Sequence, residues 1–352
     1  MIQRKIDNYL VDFYAKYKKA LLVTGARQIG KTSSIREFGK KHFKHFVEIN
    51  FLESPAAKAI FDGTDTSDIL LRLSAYTKTK LVKNETLIFL DEIQECPNAV
   101  TAIKFLVEEG SYRYIMSGSL LGVELKDIRS LPVGFLSIKE MFPLDLEEFA
   151  NAVGVQPEVL KSIHSAFANK TEVDALVHEK MMAIFRLYMV IGGMPAAVAE
   201  YLESNNIQNV VEIQQSIIEL YKKDIAKYDP KNKLYLNEIF DLIPPELNNQ
   251  NKRFILKKLN ENLKFSHYEN SFIWLKEAGV AIPVYNVDEP KIPLLLSRSR
   301  NLFKLFLNDV GLLTCQYANG IQLKILNGDP DINFGSVYEN VAATELRAHG
   351  FD

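Results

Sequence analysis

Apolar and polar positions follow two rhythms along this chain. Between residues 20 and 140 short apolar runs recur: Ala20–Thr24 (ALLVT), Phe46–Phe51 (FVEINF), Leu87–Leu90 (LIFL), Tyr112–Met116 (YRYIM) and Phe135–Ile138 (FLSI). Runs of this length, bounded by polar segments, predict buried strands. Helical patterns separate them, beginning with SSIREFGKKHF after the first. Alternation of this kind predicts an α/β domain: a parallel sheet of about five strands, covering helices and right-handed crossovers. From residue 146 to 230 the period changes. Val177, Met181, Ile184, Phe185, Tyr188 and Met189 recur at helical spacing, which reads as a core stripe. Gly192 and Gly193 stop that helix, and Pro195 opens the next at a first-turn position. Val210–Tyr228 predicts one long amphipathic helix.

The following stretch predicts a short helix at Tyr235–Leu242 broken by Pro244-Pro245, then helices at Phe254–Leu259 and Ser266–Ala278. Val280–Val287, Pro293–Ser297 and Phe303–Leu307 predict strands. Three helices and then a β-ribbon is the order of a winged helix, a fold that often reads DNA with its third helix. Here that third helix carries Glu269, Glu277 and Lys276, a poor phosphate-facing surface.

Composition narrows the choices. The 352 residues are 47% hydrophobic and 24% charged, which excludes a disordered or low-complexity chain. Net charge is −2, so the whole chain is no electrostatic nucleic-acid binder. By segment the charge is +1 over residues 1–150, −3 over 151–230, +3 over 231–310 and −3 over 311–352. Only the winged-helix stretch leans basic, which leaves DNA binding open and favours a structural or partner-docking role. Cys96 and Cys315 are the only cysteines, too few for a disulfide framework or a four-cysteine zinc site. No apolar run reaches membrane-spanning length, and MIQRKIDNYL lacks the apolar centre of a signal peptide. The expectation is a cytoplasmic protein with no membrane partner.

The chemistry lies at strand ends. Directly after Ala20–Thr24 comes Gly25-Ala26-Arg27-Gln28-Ile29-Gly30-Lys31-Thr32, then Ser33 and the helix. Strand, G-x-x-x-x-G-K-T, helix is a P-loop in its confirming context; chance alone gives the motif in about 1% of chains this long. Gly25 and Gly30 let the backbone approach phosphate, while loop amides and the helix N-terminus face the anion. Lys31 meets the β/γ-phosphates, and the Thr32 hydroxyl suits Mg²⁺. A second strand, Leu87–Leu90, ends in Asp91-Glu92. Ligands in parallel sheets sit beyond that edge. Asp91 is the second metal residue, and Glu92 the base for an attacking water. Tyr112–Met116 ends in Ser117-Gly118-Ser119. Either serine fits the polar sensor at the end of a strand lying between the two motifs, and a plain Ser-Gly turn fits equally.

Taken in order, these motifs resemble a prokaryotic family of AAA-type P-loop ATPases with a C-terminal region of unknown function. Leu21–Thr32, Asp91-Glu-Ile-Gln94, Ser117-Gly-Ser119 and Met141–Phe149 carry the resemblance. Gly192-Gly-Met-Pro195, Tyr221-Lys-Lys-Asp224, Trp274–Gly279 and Lys304–Leu312 extend it. The resemblance implies a P-loop domain over 1–150, a helical lid or linker over 151–230, a winged-helix-like domain over 231–325 and the start of a nuclease-like module over 326–352. Ser336–Leu346 matches that module's first helix, but Glu339 alone is no metal-dependent nuclease site, so no nuclease activity is expected. The family's arginine finger has no clear counterpart; Arg113 and Arg129 are the candidates. The function implied is an ATP-binding, Mg²⁺-dependent ATPase coupled to its C-terminal region, in a DNA-related process. The alternative is a nucleotide-gated switch or scaffold with little turnover that docks a protein partner or self-associates.

Overall fold

Ala20–Thr24 forms strand β1, its first four residues fully enclosed. The structure, a computed structural model, describes residues 2–63, 65–118, 132, 134–228, 233–249, 254–255, 268–289, 291–294, 297–317, 320–329 and 334–351. It divides into two compact units: Arg4–Met141, and residues 2–3 together with the described chain from Phe142 onward.

In the first unit, helix α1 (Lys5–Lys16) precedes β1, and α2 (Lys31–His42) follows it. Then come β2 (His45–Asn50), α3 (Thr66–Tyr76), β3 (Thr86–Asp91), α4 (Pro97–Glu109), β4 (Arg113–Ser117) and β5 (Leu136–Glu140). All strand pairs are parallel, in the order β2-β3-β4-β1-β5. The expected five-stranded sheet is therefore present, with β4 lying between the P-loop strand and the acidic strand. β3 is buried along its whole length, as its continuous apolar run demands. Ile88, Leu90 and Met116 pack with Ile103 and Leu106 of α4 and with Ile69 and Leu73 of α3. The Tyr14 hydroxyl of α1 donates to the Tyr114 carbonyl of β4 at 2.7 Å.

The second unit opens with α5 (Leu146–Ala152), α6 (Pro157–Asn169), α7 (Ala175–Ile191), α8 (Pro195–Ser204) and α9 (Ile207–Tyr228). α7 and α8 meet at a bend of 118°, made where Gly192 takes a positive φ of 71° and Pro195 begins the new helix. No single helix among the described residues is long and apolar enough to cross a membrane.

α10 (Lys233–Asn248) overturns the expected break at Pro244-Pro245, because both prolines lie inside the helix. Ile239, Phe240, Ile243 and Leu247 are buried along it. Each such side chain is worth about 1.5–3 kcal/mol when enclosed, which together outweighs the local penalty of roughly 3 kcal/mol per proline. α11 (Glu269–Glu277) leads into an antiparallel ribbon of β6 (Ala281–Val287) and β7 (Arg298–Leu307). β7 extends the strand expected at Phe303–Leu307 back to Arg298, whereas Pro293, Leu294 and Ser297 of the strand expected at Pro293–Ser297 lie outside the ribbon and residues 295 and 296 lie outside those described. Pro293 has no N–H for a ladder and lies outside it. The middle helix expected at Phe254–Leu259 falls largely on residues outside those described; the described residues of this stretch contain α10, α11 and a two-stranded ribbon.

α12 (Val310–Thr314), α13 (Ile321–Asn327) and α14 (Gly335–Ala348) complete the chain. α14, expected to open a separate module, docks on β7: the Asn340 amide bonds both the N–H and the carbonyl of Leu307 (2.9 and 3.1 Å), and Glu339 pairs with Lys304 at 2.9 Å. It also closes the N-terminus of α5, where the Leu146 N–H donates to Glu345 at 2.7 Å and the Glu148 N–H to Asp145 at 2.8 Å.

Candidate functional site

The segment between β1 and α2 is held by features that run from sequence to geometry. Gly25 has φ 134°, a value open to glycine, and a Cβ there would lie 2.2 Å from the Met141 carbonyl oxygen. Gly30 at φ 94° starts α2, and Gln28 takes a left-handed φ of 64°. Ala26 and Ile29 are buried, Arg27 is half-buried, and Gln28 and Ser33 face solvent. Lys31 opens the helix, 8% exposed. Its ammonium folds back to donate to the carbonyls of Gly25 (2.9 Å) and Ala26 (2.6 Å). Burial lowers its pKa to about 8, against the attraction of Glu92 and Asp91. The first turn of a helix offers N–H groups with no carbonyl behind them, so the loop and helix start are suited to hold an anion, with the Lys31 cation beside them.

Beside the loop stands Asp91, 2% exposed at the end of β3. The Thr32 hydroxyl donates to it at 3.2 Å, the Asn50 amide at 3.2 Å and the Glu92 N–H at 3.1 Å. The Ser117 hydroxyl donates to it as well. These donors come from four elements, gathered because β2, β3, β4 and the start of α2 share one sheet edge. A carboxylate with a hydroxyl beside it, backed by further oxygens, suits a hard divalent cation. Glu92 follows at φ 53° and ψ 51°. This left-handed turn throws the chain off the strand axis, so Asp91 and Glu92 serve different directions.

Residues 17–150 match the AAA domain family. Over that segment the chain is similar to an AAA domain. Residues 182–323 match a domain of unknown function. The Walker-type ATPase PABY2304 of Pyrococcus abyssi is similar over 90% of this chain and 96% of that one, with 13% identity and a TM-score of 0.53; at that identity the likeness is one of fold. The Aeropyrum pernix ORC1 protein in complex with DNA matches over 94% and 93% of the two chains, with 13% identity and a TM-score of 0.31. That score carries no argument. No curated protein sequence is significantly similar.

Within the AAA-like segment, the structure brings Lys31, Thr32, Asp91 and Glu92 to one edge, together with Gly25–Gly30. Ser117 is there too, with its hydroxyl on Asp91. Ser119 and Arg129 lie outside the described residues. Arg113 begins β4, at the strand end opposite Ser117, and donates to the Tyr17 carbonyl at 3.3 Å.

Three residues of the site were given no role by the motifs: Asn50 and Arg4 lie outside them, and Gln94 ends one of them without an assigned part. Asn50 is the register partner of Asp91 across β2 and β3. Its amide oxygen accepts the N–H groups of Leu52 (2.9 Å) and Glu53 (3.0 Å), so its NH₂ faces Asp91 in one orientation. The signal was the polar residue ending an apolar strand. Gln94 donates to Glu92. Arg4 is buried and donates to the Ile29 carbonyl at 2.9 Å, steadying the last loop residue before Gly30. Nothing in its local sequence announces this, since the contact joins positions 25 residues apart.

Proposed function

We propose that this chain binds ATP with Mg²⁺ and hydrolyses it, and that nucleotide state acts on its C-terminal region. The observation that carries this reading is the placement of Thr32 and Asp91 within 3.2 Å of each other beside the P-loop lysine, with Glu92 next in the chain. In this reading the loop amides and Lys31 bind the phosphates. Lys31 exchanges its Gly25 and Ala26 carbonyls for phosphate oxygens. Thr32 and Asp91 would hold the metal, which when bound neutralises charge on the β- and γ-phosphates. Glu92 orients the attacking water and takes its proton. Adenine is the base in this proposal by likeness to the ATPase fold.

The test is paired. Lys31→Ala is expected to lose ATP binding, whereas Glu92→Gln keeps binding and loses turnover. Wild-type hydrolysis in both variants would refute the assignment.

The switch reading keeps a place because Ser117 is engaged with Asp91 and Arg113 sits at the far strand end. Tight binding with turnover well below about 1 per minute, on the order of intrinsic P-loop hydrolysis, decides for the switch. A rate raised by duplex DNA would support a DNA-related process through the helix–ribbon region.

A further inference from the structure

Gln94 lies in the short turn Ile93–Glu95 that follows Glu92. It is 8% exposed. Its Nε2 donates to Glu92 Oε2, and its Oε1 is buried with no donor among the described residues. A carboxylate accepts and cannot donate, which fixes the end of the amide that faces it.

A buried glutamine kept for structure satisfies both ends of its amide, because an orphaned acceptor costs stability. Gln94 leaves its acceptor orphaned and uses its donor on the one carboxylate assigned to water. It does so from a turn that exists because Glu92 adopts a left-handed backbone. Local cost without structural return marks a functional position.

We propose that Gln94 is a positioning residue for hydrolysis: its amide N–H occupies Oε2 of Glu92, locks the carboxylate in one orientation and leaves Oε1 to take the proton of the attacking water. This rests on the reading of Glu92 as the group that activates water. It assigns Gln94 no contact with nucleotide and no part in binding.

The experiment uses the full chain with ATP and Mg²⁺ under single-turnover conditions, with enzyme in excess so that slow rates are readable. Gln94→Met keeps the length and volume of the side chain and removes the amide. The expected result is a rate lowered about 10–100-fold, the scale of a misplaced reacting group. ATP affinity should stay within about threefold. The melting temperature should hold or rise, because the orphaned acceptor is gone. The double variant Glu92→Gln/Gln94→Met should be no slower than Glu92→Gln, since a residue acting through another adds nothing once that partner is removed.

Three outcomes overturn the proposal: an unchanged rate in Gln94→Met, a loss of ATP affinity that accounts for the slower rate, or effects that multiply in the double variant. Turnover in the unaltered chain that does not depend on Glu92 overturns the hydrolytic reading instead, and this inference with it.

Discussion

At the scale of single residues, the site is a set of donors converging on one carboxylate. Asp91 accepts from Thr32, Asn50, Ser117 and its own neighbour's N–H, so its orientation is over-determined before any nucleotide arrives. Asn50 contributes most selectively, because its oxygen is anchored on Leu52 and Glu53 and only its NH₂ reaches Asp91. Asn50→Ala is expected to weaken Mg²⁺-dependent ATP binding by about 10–100-fold, the usual effect of losing a group that orients a metal ligand. Binding without Mg²⁺ should change little. Titrating a fluorescent ATP analogue with Mg²⁺ and with EDTA separates the two, and equal losses in both would refute the assignment. Gly25 makes a second point. An alanine there meets a carbonyl at 2.2 Å and a φ of 134° that it rarely adopts; the backbone conformation alone costs roughly 1–3 kcal/mol. Gly25→Ala should therefore lower the melting temperature as well as abolish binding, whereas Lys31→Ala should affect binding alone. Differential scanning fluorimetry without nucleotide tells them apart. Lys31, Thr32 and Asp91 were legible because each sits in a contiguous motif whose spacing has a chemical cause. Asn50 and Arg4 were not, because their roles exist only once separate elements are side by side; Gln94 stood in the acidic motif, but the motif gave it no role.

At the scale of elements, the landmarks of the second half turn out to be parts of one buried knot. Asp309, the N-cap of α12, accepts the N–H groups of Gly193 at 2.6 Å and Leu312 at 2.9 Å. A Cβ on Gly192 would lie 2.2 Å from the Asp309 carboxylate. Gln214 of α9 donates to the carbonyls of Val190 and Ile191, both at 2.9 Å, and Asn308 donates to the Tyr221 hydroxyl at 3.3 Å. The Gly192-Gly193 turn, the tyrosine of α9 and the Asn308-Asp309 pair thus share a structural role, joining α7, α9 and α12. Burial pushes the Asp309 carboxyl up from 3.8 to about 6, against the backbone N–H groups that favour its charged form. The folded chain therefore holds this proton more tightly than the unfolded chain. The resulting stability is complete below about pH 4 and is lost as pH rises through 6. Asp309→Asn has no such proton. The stability difference between native chain and variant, from urea midpoints, should fall between pH 4 and 7; a flat difference contradicts the reading. The strands of the first unit were legible as apolar runs. The continuation of α10 through Pro244-Pro245 was not, because it depends on tertiary burial that local breaker rules omit.

At the scale of the whole molecule, two units share one chain, and the proposal requires that the first inform the second. Binding alone protects amides of the first unit. At about 100 times Kd a ligand adds roughly 2.7 kcal/mol to whatever it binds in the folded state, so this protection is expected with ATP and ADP alike. It should be strongest in peptides covering Gly25–Thr32 and Thr86–Glu95. Coupling is a stricter claim, because a ligand shifts a conformational equilibrium only by its differential affinity for the two states. The γ-phosphate is the group that differs between ATP and ADP, and in the proposed reading Glu92 and Lys31 are the residues that meet it. Hydrogen exchange of Glu92→Gln, which holds ATP without turnover, should therefore differ between the ATP-bound and ADP-bound forms in the second unit. The difference is expected around Ile191–Met194 and Leu307–Thr314, where the Asp309 knot ties three helices and a small displacement has few ways to dissipate. Identical exchange in those peptides with both nucleotides would leave an ATPase whose state stops at its own domain.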